Sequence, residues 1–375
     1  MAGIYIHVPF CRQACRYCDF YFTVSLKYRD AYVDALLREM ADRSGELNGE
    51  RVSTVYLGGG TPSVLTGAHL GEIMVRVQEL FHVDPEAEVT IEANPDDLDD
   101  HRLDMLCRTG FNRLSIGVQS FQPHHLELMR RSHRSEEAVD AIIRAAAKGF
   151  DNINMDLMYG LPGLTSAEWE HNVRNTMDLP VQHISAYHLT YEPGTVFDHW
   201  RRKGRIRELP EESGIAQYRM LRQTTAAHGF EHYEISNFSL PGYRSAHNSS
   251  YWSGTPYAGF GPSAHSYNGT VRRWNIASLQ RYIESTVSGG SAFEMETLTA
   301  TDRFHDYLIT ALRTKEGADL LWIRDQFGDA AAKLLREKAA PYTGTGEMKT
   351  EGGRLKMTPE GWLRSDLITQ QLMLE

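Results

Sequence analysis

Along the first half of the chain, short runs of β-branched and aromatic residues alternate with longer stretches whose apolar positions return every three or four residues. The short runs, Ile4–Val8, Thr54–Leu57, Glu88–Glu92, Arg113–Gly117, Ile153–Met158 and Ile184–Leu189, predict strands. The stretches Tyr28–Met40, Ala68–Leu80, Leu98–Cys107, Ser135–Ala147 and Ser166–Met177 predict the helices between them. Strand followed by helix, repeated, implies parallel pairing, because a crossover helix returns the chain to the same end of the sheet. Six such units are fewer than a closed eightfold barrel needs. The pattern therefore predicts an α/β fold, an open, partial (β/α)6 barrel over residues 1–190, with its functional groups on the rim at the strands' carboxyl ends.

Residues 191–299 are less regular and rich in Tyr, Gly and His; they predict an extension of loops and short strands covering the barrel mouth. From 300 to 375, helical patterns at Arg303–Arg313, Asp319–Phe327 and Ala330–Lys338 precede a hairpin turning at Gly352-Gly353 and a last helix. That order predicts a small C-terminal winged-helix-like α+β domain. Such domains often bind DNA, but Thr301–Glu375 carries 11 Lys plus Arg against 12 Asp plus Glu, so packing or regulation is the expected role.

The bulk numbers narrow the classes. With 375 residues and 41% hydrophobic content the chain can bury a large core. A net charge of −10, from 39 basic and 49 acidic residues, leaves no electrostatic footprint for nucleic acid as a partner. The N-terminus has no secretory pattern and no apolar run reaches bilayer length, which predicts a cytoplasmic protein. Three of the four cysteines fall within eight residues, as a metal site in a reducing compartment would require; Cys107, on a helical pattern, is expected to pack.

Cys11-Arg12-Gln13-Ala14-Cys15-Arg16-Tyr17-Cys18 follows the first strand run after Pro9. Three thiolates suit either zinc completed by His7 or three corners of a [4Fe–4S] cube with one iron left open. The Cys-x3-Cys-x2-Cys spacing, with the aromatic Tyr17 before the last cysteine, resembles the radical S-adenosylmethionine superfamily. In that superfamily the cofactor's amino and carboxylate groups chelate the open iron, and an electron from the cluster cleaves the sulfonium. The resemblance implies further cofactor-binding residues. Gly59, Gly60 and Thr61, in Gly58–Pro62, resemble the segment for the methionine amino group, and Glu92 offers a carboxylate to ribose or amine. Gln119, Asp156 and Arg131 match the same pattern in order, Arg131 as the partner of the cofactor carboxylate.

The likeness extends further. Tyr5–Cys11, Cys18–Phe20, Ile91–Pro95, Leu114–Phe121, Asp156–Pro162, Ser185–Thr190, Tyr233–Phe238 and His247–Trp252 together resemble the oxygen-independent coproporphyrinogen III oxidase family. The oxidase carries a further cysteine where Phe20 stands, and a long segment ahead of its cluster motif, whereas Cys11 lies near the start here. Both departures are similar to the HemW-type haem chaperones. That resemblance implies binding of haem and its transfer to haem proteins, membrane-bound respiratory enzymes among them, with placement in the cytoplasm or at the membrane's inner face. It is compatible with a homodimer. It also implies that Tyr5 lies at the cofactor site and that His247-Asn248-Ser249-Ser250-Tyr251 is the haem motif, with His247 as iron ligand and Asn248 and Tyr251 beside it. Ser245 stands where many relatives carry a cysteine, and His265 is a second candidate ligand. The rival expectation is a radical enzyme acting on a porphyrin.

Overall fold

The computed structural model describes residues 1–290 and 292–374. Six parallel strands run β1 (Ala2–Val8), β2 (Val52–Gly59), β3 (Val83–Ala93), β4 (Arg113–Gln119), β5 (Ile153–Tyr159) and β6 (His183–His188), adjacent in that order. Between them lie helices α1 (Arg29–Asp42), α2 (Gly67–Leu80), α3 (Asp100–Arg108), α4 (Pro123–Met129), α5 (Ser135–Ala147) and α6 (Ser166–Met177). The open (β/α)6 arrangement expected from the pattern is therefore the fold. The outer face is apolar, as in Ile4, Ile6 and Val8 of β1, all fully buried beneath the helices. The inner face is polar at every second position: Glu88, Thr90 and Glu92 on β3, Arg113 and Ser115 on β4, Asn154 and Asp156 on β5. Helix starts are fixed locally, as where Thr165 and Glu168 form a reciprocal cap on α6.

The middle of the chain supplies α7 (Val196–Arg202), α8 (Glu211–Ala227), β7 (Glu231–Glu234), β8 (Asn237–Ser239), α9 (Ala246–Trp252), β9 (Tyr257–Phe260), β10 (His265–Tyr267), β11 (Val271–Asn275), α10 (Leu279–Val287) and β12 (Phe293–Thr297). Its strands join the sheet at both edges and give a 12-stranded order β12-β11-β10-β9-β1-β2-β3-β4-β5-β6-β8-β7. β9 pairs parallel with β1 and β8 antiparallel with β6, so the backbone groups that the six-stranded sheet would leave open are paired. One hydrophobic core runs from Ala2 to Tyr282 through both segments.

A second core, Phe304 to Leu372, belongs to the C-terminal unit. This unit holds α11 (Ala300–Ala311), β13 (Ala318–Asp319), α12 (Leu320–Phe327), α13 (Asp329–Gly344), β14 (Met348–Glu351), β15 (Arg354–Met357), α14 (Pro359–Trp362) and α15 (Ser365–Leu372). Its sheet order, β13-β15-β14, beside these five helices is the winged-helix-like form. Among the described residues no helix is long and apolar enough to cross a membrane.

Candidate cofactor site

The cysteine loop leaves β1 at Pro9 and is pinched shut at its base, where Cys11 N donates to Thr23 O and Thr23 N to Pro9 O at 3.0 and 2.6 Å. Its far side is tied to the end of α4. Arg16 donates to the carbonyls of Glu127 and Leu128, both at 3.1 Å, and Gln13 to that of Arg130 at 2.7 Å. Cys11, Cys15 and Cys18 are half-buried and free of disulfides. Burial pushes the Cys11 thiol up to about 11 and the Cys18 thiol to about 12, so these sulfurs stay protonated until a metal takes the proton's place. His7 is not a fourth ligand to them. Its Nδ1 meets the Tyr5 hydroxyl at 3.1 Å and its Nε2 the Tyr21 carbonyl at 2.9 Å, which removes the zinc arrangement considered from sequence. Cys107 lies exposed on α3 instead of packing.

The strand ends bring the other rim residues round this loop. Gly60 N and Thr61 N donate to Val8 O and Phe10 O, and the Thr61 hydroxyl reaches Cys11 Sγ at 3.5 Å. A Cβ on Gly60 would lie 2.6 Å from Val8 O, so this glycine is required for the two strand ends to meet. Glu92 accepts from Tyr56 at 2.7 Å and from Gly59 N at 3.0 Å; burial first, then Asp156, raises its pKa to about 7. Asp156 is half-buried and raised too, by desolvation first, and Asn154 donates to it at 2.7 Å. Arg131 donates to Asn94 Oδ1 and Gly117 O, both at 2.6 Å, and points NH1 at Cys15 Sγ, 3.4 Å away. Its Nε is buried with no partner. Gln119 ends β4 with φ at +68°, a left-handed backbone that only an over-determined site retains in a residue with a side chain. Tyr17 packs toward Phe197 at the start of α7, 6.5 Å between ring centroids.

The predicted residues fall into two groups. Cys11, Cys15, Cys18, Tyr17, Gly59, Gly60, Thr61, Glu92, Gln119, Arg131 and Asp156 share the carboxyl-end rim. His247, Asn248 and Tyr251 lie on α9, which closes the opposite end of the inner face. There His247 is 1% exposed; its Nδ1 meets Thr54 Oγ1 and its Nε2 the Tyr251 hydroxyl, both at 2.8 Å. Its ring stacks on Tyr56 and Tyr5 at 5.0 and 6.3 Å. Neither nitrogen is free for iron in this conformation. Ser245 caps α9 by accepting from Asn248 N, and Tyr5 stands between the groups, joining His7 to His247.

Sequence reading missed the rest of this floor. Glu88 accepts from the Ala246 and His247 amides at 2.9 Å and lies 3.7 Å from the buried Arg113. His183 joins Asn154 to the Tyr233 hydroxyl. The signal was present as polar residues alternating with apolar ones inside the strands.

A pinned three-thiol loop on the rim of an open parallel (β/α)6 sheet, ringed by half-buried carboxylates and a guanidinium with an unpaired donor, is the arrangement of a radical SAM protein. Residues 5–175 match the Radical SAM superfamily model and residues 298–364 the HemN C-terminal domain; the superfamily works with a [4Fe–4S] cluster and S-adenosylmethionine. The chain belongs to the HemW family within that superfamily. It is 36% identical to the heme chaperone HemW of Bacillus subtilis (strain 168), over 97% of each chain, and 33% identical to that of Escherichia coli (strain K12), over 91% of this chain and 93% of the relative. The solved coproporphyrinogen III oxidase (HemN) from Escherichia coli superposes with a TM-score of 0.86 at 25% identity, over 99% of this chain and 90% of that one. The donor set fits these cofactors: three soft thiols on one loop suit iron–sulfur ligation, and Arg131, whose NH1 faces Cys15, keeps its Nε donor unpaired among the described residues.

Proposed function

We propose that this chain is a haem chaperone, binding haem and passing it to haem-dependent proteins, membrane-bound respiratory enzymes among them, from the cytoplasm. Cys11, Cys15 and Cys18 hold the [4Fe–4S] cluster, and S-adenosylmethionine occupies its open iron. When bound, the pair supplies an electron source and a cleavable sulfonium. Arg131 holds the cofactor carboxylate. Glu92 and Asp156 take its cationic and hydroxyl groups, Gln119 and the Gly59–Thr61 backbone fix its position, and Tyr5 and Tyr17 shield the pocket from water.

The observation that carries the reading is Phe20. Where the oxidase has a further cysteine, this chain turns a phenyl ring into solvent, 64% exposed, so the loop offers three sulfurs and no more. A full-length likeness to proteins named as heme chaperones supports the same conclusion. The test is anaerobic reconstitution followed by haem titration and transfer to an apo-haem protein. A Soret band that moves to the acceptor supports the chaperone. Substrate-dependent release of 5′-deoxyadenosine with a porphyrin, and no transfer, would overturn it in favour of the porphyrin-modifying enzyme.

A further inference from the structure

A haem iron needs an imidazole nitrogen with a lone pair to spare, and His247 has none free. On the haem-binding reading the other candidate histidine gains weight. His265, the first residue of β10, is exposed, and among the described residues neither of its ring nitrogens has a hydrogen-bond partner. It pairs across the strands with Trp274 on β11, and the two rings lie 6.0 Å apart at 23°, which fixes the plane of the imidazole.

The same face of β9–β11 carries more aromatic surface. Tyr267 stands two residues from His265, opposite Arg272 on one side and Tyr257 on the other, with 6.5 Å between the tyrosine centroids. Tyr257 in turn meets Tyr251 of the floor at 4.6 Å. Arg303 of α11 lies near enough to act on the Tyr267 hydroxyl, and its Nε is buried without a partner. Arg272 is already engaged by Glu296 and Asp306. A flat aromatic face, one open imidazole and one guanidinium with a donor to spare match a metalloporphyrin: a broad apolar disc, a Lewis-acidic centre and carboxylates at one edge.

The geometry points to His265 as the axial ligand of haem iron, with the porphyrin held against Tyr257, Tyr267 and Trp274 and a propionate on Arg303. Partial desolvation of the ring by its neighbours first, then the Arg272 charge, keeps His265 below its ordinary pKa, so the neutral, ligating form prevails at pH 7. His265 is also close enough to His7 to act on its protonation, and His7 holds the cysteine loop at Tyr21, which sets the haem face beside the cluster rim.

The test is titration of the reconstituted protein with haem and, separately, with metal-free protoporphyrin. His265→Ala, at an exposed position, should weaken haem binding at least tenfold and move the Soret band away from that of imidazole-ligated haem, while metal-free porphyrin binds as before. Arg303→Ala should weaken both without moving the Soret band. Wild-type affinity and spectrum in His265→Ala would overturn the assignment while leaving the chaperone reading intact. No Soret change in the wild-type protein itself would remove the haem reading and this assignment with it.

Discussion

Replacing His247 by alanine separates a bracing role from a ligating one. The substitution deletes two hydrogen bonds, to Thr54 and Tyr251, and opens a hole beneath the stacked Tyr56 and Tyr5 rings. Each bond is worth about 1 kcal/mol, and the buried Thr54 hydroxyl loses its partner outright. A ring-sized cavity adds about 2 kcal/mol, so the expected destabilisation is roughly 3–5 kcal/mol at pH 7.5. The loss must also depend on pH. Burial first, then the Arg113 charge, holds the folded-state pKa of His247 at about 3, against 6.5 in the unfolded chain. A histidine kept neutral in this way contributes its full stability above pH 6.5 and loses it as pH falls toward 3. At pH 5 the wild type has therefore given up about 2 kcal/mol at this residue, at roughly 1.4 kcal/mol per pH unit, whereas the variant has nothing there to lose. Urea unfolding of both proteins at pH 7.5 and pH 5.0 should show the gap between them narrowing by about 2 kcal/mol at the lower pH. A gap under 1 kcal/mol at pH 7.5, or one that does not change with pH, would refute the bracing role.

Further outcomes can be read from the rim. Serine at Cys11, Cys15 or Cys18 should leave the purified protein colourless with less than a full complement of iron and sulfide, while serine at the exposed Cys107 changes neither. Glu92 ionises near 7 in the folded protein and near 4.5 unfolded, so it opposes folding progressively from pH 4.5 to 7. Glu92→Gln should raise the unfolding free energy from urea titration at pH 7.5 by about 1–2 kcal/mol after the imperfect replacement of its hydrogen bonds, with no gain at pH 4 and weaker S-adenosylmethionine binding. In the wild type, calorimetry should show protons released when S-adenosylmethionine binds at pH 6.5 and almost none at pH 8.5, read from the dependence of the enthalpy on buffer. Gln119→Gly should relieve the left-handed strain and stabilise the chain by about 1 kcal/mol while lowering cofactor affinity, measured by equilibrium dialysis.

The six parallel strands were legible because their outer face must bury apolar residues against helices, and that constraint writes itself into local sequence. β5 and α6 were predicted within a residue or two of Ile153–Tyr159 and Ser166–Met177. The rim residues were legible for a related reason. Glycines with no room for a Cβ, a Pro that ends the first strand, and carboxylates at strand ends each carry a local signature. The edges of the sheet were not legible. β8 is three residues long and β9 four, and they exist because β6 and β1 offer partners far away in the chain, which no window of sequence records. His247 shows a third case. Its motif could be recognised, but the state of its two nitrogens depends on Thr54, nearly 200 residues earlier, and on Tyr251 one helical turn on.

The separation of rim from floor follows from how a polar interior can be kept stable. Parallel sheets ordinarily bury apolar residues on both faces, and here the inner face of β3 to β6 is lined instead by Glu88, Arg113, Asn154, Asp156 and His183. At the floor each finds a partner within the protein: Glu88 with the α9 amides and Arg113, His183 with Asn154 and Tyr233. Within that network only the Arg113 Nε, 3.7 Å from Glu88, is left without a hydrogen-bond partner among the described residues. At the rim the balance differs. Glu92 and Asp156 are both half-buried and both raised by desolvation, Asp156 making Glu92 harder still to ionise, and Arg131 keeps a donor in hand. Such an end gains stability only when something brings a positive charge to the carboxylates and an acceptor to the arginine. A molecule with a sulfonium, an amine and a carboxylate has that combination, whereas haem, with its two propionates, would bring anions to a pair of carboxylates. On the proposed function the cofactor is therefore expected on the rim, and haem on a surface that is aromatic and open, which the floor around His247 is not.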